Sequence, residues 1–414
     1  MKHKKITALA LGLLLILSGG CSLVDKDEEK AAEIDKNKVI IEYKDLDIKK
    51  DDITKKMNKY LTAQGMAIAD LKDSEDDKEI WDRFKNDIVQ EVAVSQIALE
   101  KASELGLDKL TEEDEKSLDE AYESSLSAIK STVETSVKAA MASNESLDYD
   151  TEYQRQLEEY FYLQGYSVDT YREDLEKEFI VNKVKEYYTK DISVTEEEVR
   201  KYYDSNVELQ QHNIELNPEM VEQQAAFGGY VLYYPAGYLK VRHLLIGFES
   251  ETRGAAAIAY ANGDMTEYNR IIDEALPSIQ PKIDEVLAKL EAGEDFTALI
   301  DEYNDDTSVD IEPYRSEGFA EGPYSTNIDI PGYIDALTKL TAPGQYTTIN
   351  TFYGCYIIRC EKLLEGAVPY EDVKDSFTTS LEAQNKDVEW STVTQGWIDE
   401  AKNAGTLKLY TDRY

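Results

Sequence analysis

The sequence predicts a multidomain α+β protein, mostly helical in its first half and tail, with a small α+β unit between them. Three observations carry this reading. The chain has 414 residues, too many for one small core and enough for two or three folding units. Apolar residues recur at helical spacing through most of 48–206. From 238 to 364 the order becomes strand, helices, strand, which implies a compact mixed unit.

The N-terminus reads as an export signal. Lys2, His3, Lys4 and Lys5 are followed by an apolar run from Ile6 to Leu17 and then by Ser18-Gly19-Gly20-Cys21. Basic, apolar and small-residue segments in that order make 1–20 a signal peptide, and the apolar run is too short for a retained span. A cysteine directly after small residues resembles the bacterial lipobox, although Ser18 stands where leucine is usual and Leu17 lies one place back. The resemblance implies lipidation of Cys21, by palmitate-type acyl chains. These would anchor the mature protein on the extracytoplasmic face of the cell membrane, with 21–38 as a charged tether.

Next, Lys38 to Asp47 reads as a strand ending in a turn. From Lys78 the positions Ile80, Phe84, Ile88, Val92 and Leu99 share a helical period, with Gly106 as the stop. Thr111 and Asp114 can cap a second long helix through Leu118, Leu126 and Ile129. Ser143 to Asp150 reads as a turn, and Ser167 opens a helix with Tyr171, Leu175, Phe179 and Val184. Thr195 with Glu196, Glu197 and Glu198 starts a short helix bearing Val199, Tyr202 and Tyr203.

Residues 211–237 form a linker or insert that ends in the Tyr-rich run GGYVLYYPAGY. Tyr238 to Phe248 reads as a buried strand, 250–281 as a helical insert, and Lys282 to Ala292 as an amphipathic helix. Phe296 to Tyr303 is a further helix, 304–332 a loop, and Ile334 to Leu340 a short helix. Phe352 to Cys360 closes the unit as a strand. After Tyr370 the chain returns to helix, with a last strand at Leu407 to Tyr410.

Composition narrows the function. Against 45 basic residues stand 84 acidic ones, for a formal charge of −39. Nucleic-acid phosphates would repel so acidic a chain, so nucleic-acid binding is excluded. Residues 48–206 show no metal-ligand cluster, nucleophile motif or phosphate loop, and no cofactor and no metal is expected. The 29 tyrosines offer apolar faces with polar tips, suited to contact with varied partners or to half-buried packing. Beyond Cys21 only Cys355 and Cys360 remain, an odd spacing in a strand that points them to opposite faces, so no bridge is expected.

Five segments in order resemble the parvulin (rotamase) domain of peptidyl-prolyl isomerases: VRHLLI (241–246), LEAGEDF (290–296), YNDD (303–306), PGQYT (343–347) and GCYII (354–358). ISVTEEEVRKYYDSN (192–206) and PYEDVKDSF (369–377) resemble what flanks that domain in PrsA- and SurA-like foldases. The resemblance implies a helical chaperone domain over 39–210, completed by 365–414, and a parvulin-like domain over 238–364. It also implies unfolded or partly folded exported proteins as clients.

Rotating an X-Pro bond opposes amide resonance, with a barrier of roughly 18–20 kcal/mol. A catalyst needs an apolar cup for the ring, little water, and polar groups that match the twisted amide. The resemblance places the family's first histidine at His243, its Cys/Asp position at Asp306 and its second histidine at Tyr356. Leu340 and Tyr346 would line the cup. The chain departs from the pattern at Tyr356, at Thr338 where phenylalanine is usual, and at SEGFAEG (316–322) where a G-G-D-L-G stretch is usual. By themselves, His243 in an apolar strand reads as a core histidine and Asp306 as a turn residue. A holdase with an inactive parvulin scaffold is therefore a second reading. A solute-binding lipoprotein is a third, and it would require two lobes of alternating strands and helices.

Overall fold

The computed structural model describes residues 32–72, 78–144, 146–309, 311–312, 314–326 and 330–414. The segment expected to be a signal peptide, and Cys21, the expected lipidation position, lie outside these. The described residues divide into two compact units, those up to 193 with 383–414, and those from 194 to 382.

The first unit opens with strands β1 (Val39–Tyr43) and β2 (Leu46–Lys49), an antiparallel pair. Lys44 in their turn has φ +52°, a left-handed conformation uncommon for a residue with a Cβ. Helices α1 (Lys50–Thr62), α2 (Ile68–Lys72), α3 (Lys78–Leu105), α4 (Glu112–Ser143), α5 (Tyr149–Leu163) and α6 (Tyr171–Thr189) follow. The Thr111–Asp114 cap is formed reciprocally, each side chain accepting from the other's backbone N–H. Gly106 has φ +69° just past α3, where a side chain would be strained. Of the α3 stripe, Ile88 is buried in the main core of this unit with Val89, Ala93 and Ile97, while Ile80 is exposed. The stripe drifts because the period is 3.6, not 4.

In the second unit, α7 (Glu196–Leu216) runs much further than the short helix expected after Thr195. Its reciprocal cap with Glu198 and its acidic first turn start it firmly, and Val199, Tyr203 and Ile214 give it a buried side to the end. The helix thus belongs to the unit with the small sheet, although the helical domain was expected to extend over 39–210. After α8 (Met220–Ala226), the Tyr-rich run forms β3 (Tyr233–Tyr234). Tyr238 is buried against Ile214 and Val221 and donates to Glu222 at 2.8 Å.

Strand β4 (Leu239–Gly247) leads to α9 (Ser250–Ala261), α10 (Met265–Glu291) and α11 (Phe296–Tyr303). Pro277 and Pro281 lie inside α10, so the helix expected to begin at Lys282 is the last part of a longer one. Tyr268, Ile272, Ile279, Ile283 and Val286 form one buried stripe along it. Continuous burial of that stripe outweighs the loss of two backbone donors.

The stretch read as loop contains α12 (Tyr314–Glu317) and β5 (Phe319–Glu321). Helix α13 (Tyr333–Leu337) precedes the hairpin β6 (Tyr346–Thr351) and β7 (Gly354–Leu363); β8 (Gly366–Ala367) pairs with β3. The sheet order is β5-β4-β7-β6, all antiparallel. The first and last strands read from the sequence are therefore immediate neighbours.

Helix α14 (Tyr370–Asn403) starts in this unit, and from Ala383 its residues belong to the first. The final strand β9 (Leu407–Leu409) pairs with β1, so the chain's end completes the opening sheet β2-β1-β9. Its sheets are small and antiparallel, unlike the two alternating lobes that a solute-binding lipoprotein requires.

Candidate functional site

Strand β4 is interior to its sheet, so both faces are buried and its sequence is almost continuously apolar. Leu244 and Ile246 face a core with Val286 and Phe296; Val241 and Leu245 face a second core with Tyr333, Leu337 and Ile358. By strand alternation His243 points to this second face. Cys355 and Cys360 likewise fall in opposite cores and are both free.

The segment after α11 is clipped along β4. Asp305 N–H donates to Leu245 O at 2.9 Å, and its carboxylate accepts from Gly247 N–H at 2.8 Å. The Asn304 side-chain oxygen accepts from Leu245 N–H at 2.9 Å and from Asp306 N–H at 3.1 Å. These contacts satisfy the part of β4 beyond its pairing with β5 and deliver Asp306 to His243.

His243 Nε2 lies 3.2 Å from Asp306 Oδ2, and Nδ1 lies 2.9 Å from the Tyr333 hydroxyl. The Tyr356 hydroxyl reaches the same Asp306 oxygen at a long 3.5 Å. The other Asp306 oxygen accepts from Ser308 N–H at 3.0 Å and from its hydroxyl at 2.6 Å. Burial works to raise the Asp306 carboxyl, but hydrogen bonds from His243 and Ser308 outweigh it and hold it at about 2. Burial, then the Asp306 charge, push the Tyr356 hydroxyl above its usual range.

His243, Asp306 and Tyr356 thus meet at one open cleft of about 610 Å³, which Phe319, Ile330 and Tyr353 also line. Leu340 and Tyr346 do not join them. Leu340 is buried in the core around α13 and lines a separate apolar groove. Tyr346 pairs with Arg359 and packs on the opposite sheet face; the β6 residue on the cleft side is Ile349, across from Tyr356. One step along a strand reverses the face, and the P-G-Q-Y-T segment alone does not reveal that it begins a strand. Thr338 is exposed, and its hydroxyl donates to the Asp335 carbonyl.

Tyr333 and Phe319 escaped the sequence reading. Phe319 meets the His243 ring edge-on at 5.3 Å. A short strand in a glycine-rich stretch carries too little pattern to announce it. For Tyr333 the only signal was an aromatic opening the short helix. Among the described residues no group of side chains is arranged to hold a metal ion, and no helix is long and apolar enough to cross a membrane.

A mainly helical unit, and a small sheet unit that carries this cleft, make this a multidomain α+β protein, and its sequence is similar to foldases. In particular, it is similar to the foldase protein PrsA of Clostridium botulinum strain Okra / Type B1: 22% identical, over 98% of this chain and 97% of that one. The PrsA crystal structure from Bacillus subtilis is 18% identical, covering 78% of this chain and 88% of that chain at a TM-score of 0.24. The peptidylprolyl isomerase (PrsA) structure from Bacillus cereus is 19% identical, covering 79% and 88% at a TM-score of 0.20. At such overlap the structural likeness adds nothing to the sequence match. No protein-family model matches the chain.

Proposed function

We propose that this protein is an extracytoplasmic foldase for exported proteins, anchored through acyl chains on Cys21, with a parvulin-type prolyl isomerase unit whose active site is partly eroded. The observation that carries the proposal is the meeting of His243, Asp306 and Tyr356 in one cleft, on neighbouring strands and the turn clipped to them. Phe319 and Ile330 supply apolar wall for a proline ring, and Asp306 and the Tyr356 hydroxyl supply polar groups for a twisting amide. Similarity to foldases along the chain supports the client class: unfolded or partly folded exported proteins. The signal-like start and Cys21 support the anchor, and the −39 charge argues against nucleic acid. Erosion refers to Tyr356, a larger ring in the place of the family's second histidine.

A holdase with an inactive scaffold is the second reading. It is favoured by the burial of His243, only 3% exposed with both ring nitrogens engaged.

Turnover on a short X-Pro peptide, measured beside suppression of aggregation of an unfolded client, tests both. Expected are weak turnover abolished by His243→Ala and suppression that this variant keeps. Background turnover with suppression intact selects the holdase; loss of both activities in the wild type rejects the foldase. For the anchor, Cys21→Ser should move the protein from the membrane fraction to the medium.

A further inference from the structure

We infer that Tyr333 is a positioning residue of this cleft: its buried hydroxyl selects the Nε2-protonated tautomer of the His243 imidazole, and His243 in turn orients the Asp306 carboxylate. The catalytic meaning of this rests on the function proposed above; the tautomer itself does not.

Tyr333 opens α13 and is wholly buried, so its hydroxyl must find a partner inside the protein. Nδ1 of His243, at 2.9 Å, is that partner. On the other side of the ring, Asp306 Oδ2 stands 3.2 Å from Nε2. A carboxylate only accepts, so Nε2 carries the hydrogen; Nδ1 of the neutral ring is then the acceptor, and Tyr333 donates to it. The reverse tautomer would set the Nε2 lone pair against the carboxylate and leave the Tyr333 proton facing an N–H. Tyr333 and Asp306 therefore select the same form from opposite sides.

The ring is also closed in sideways. Phe319, Tyr333 and Tyr356 meet it edge-on at 5.3, 5.6 and 4.9 Å. With both nitrogens engaged inside the protein, His243 borders the cleft beside Asp306, whose side chain is 16% exposed. A phenylalanine at 333 would keep the packing and remove only the hydrogen bond to Nδ1.

The test is a proton–nitrogen correlation spectrum of the imidazoles in the full chain at neutral pH, with His243 assigned by its loss in His243→Gln. The wild type should show the Nε2–H pattern, and Tyr333→Phe should keep it, since the Asp306 carboxylate still accepts from Nε2. Asp306→Asn should keep it as well, because Tyr333 still donates to Nδ1, and the two substitutions together should give a mixture of tautomers. Turnover on an X-Pro peptide should fall by about tenfold in Tyr333→Phe, because the ring loses one of its two anchors. An Nδ1–H wild type, a switch of tautomer in Asp306→Asn, or an unchanged Nε2–H pattern in the double variant overturns the inference. Should the double variant fail to fold, Asp306→Asn alone decides it. A wild type without turnover but with the Tyr333-dependent tautomer rejects the isomerase reading and leaves this one standing.

Discussion

Tyr356 stands diagonally across from His243 in the β4–β7 pair, opposite Leu245, and its ring meets the imidazole edge-on with centroids 4.9 Å apart. Diagonal neighbours in an antiparallel pair lie within reach of aromatic side chains, so the residue at 356 directly shapes the floor of the cleft. Its identity sets how much room remains for a proline ring.

Replacing Tyr356 with histidine shortens that side chain and opens the floor. Turnover on an X-Pro peptide should rise by about tenfold, equal to about 1.4 kcal/mol in the barrier. If kcat/KM stays level or drops, crowding by Tyr356 does not limit the site.

The Asp306 carboxyl, held at about 2 against an ordinary 3.8, makes an acid-dependent contribution to stability. A lowered folded-state value means that the contribution is complete above about pH 4 and disappears as the pH falls toward 2. The cost of Asp306→Asn in denaturant unfolding should therefore shrink by about 2 kcal/mol between pH 5 and pH 2. A cost that stays constant across that range contradicts the carboxylate's role.

Gly354 and Gly293 both have positive φ but differ in surroundings. At Gly354, φ is +143°, and a Cβ would sit 2.1 Å from the Ile246 carbonyl oxygen. At Gly293, φ is +84° with open space around it. Gly354→Ala should cost about 3 kcal/mol or more, and Gly293→Ala about 1 kcal/mol, in denaturant unfolding. Equal costs would mean that β4 and β7 are less closely apposed than described.

At the start of α7, the Thr195 hydroxyl accepts from Glu198 N–H at 3.3 Å while the Glu198 carboxylate accepts from Thr195 N–H at 2.7 Å. Thr195→Ala should cost about 1 kcal/mol and Thr195→Gly only a few tenths, since glycine itself serves as an N-cap. The reverse order would show that side-chain packing, not capping, is what Thr195 contributes.

How far the fold was legible follows from pattern length. Helix α3, the α4 cap and strand β4 announce themselves through long periods, a reciprocal Thr–acid pair and an unbroken apolar run. Strand β5 has three residues, and β6 begins behind a P-G turn, so neither carries enough alternation to be recognised. Helix α10 was obscured for the opposite reason: Pro277 and Pro281 are strong local breakers, overridden by burial that only the folded unit supplies.

The candidate site divides along the same line. His243, Asp306 and Tyr356 were recognisable because each sits inside a short motif whose order along the chain is visible. Leu340 and Tyr346 were misplaced, and Tyr333 went unnoticed, because a side chain's face and partner depend on register and on segments far away in sequence. Residue order alone determined that two strands and an acidic turn recur in a parvulin-like succession, since local patterning is written residue by residue. Only the tertiary structure decided that β4 and β7 pair with Leu245 opposite Tyr356, and that a tyrosine ninety positions beyond His243 holds its ring. Those relations arise from burial and hydrogen bonding between distant segments, which no single stretch of chain encodes.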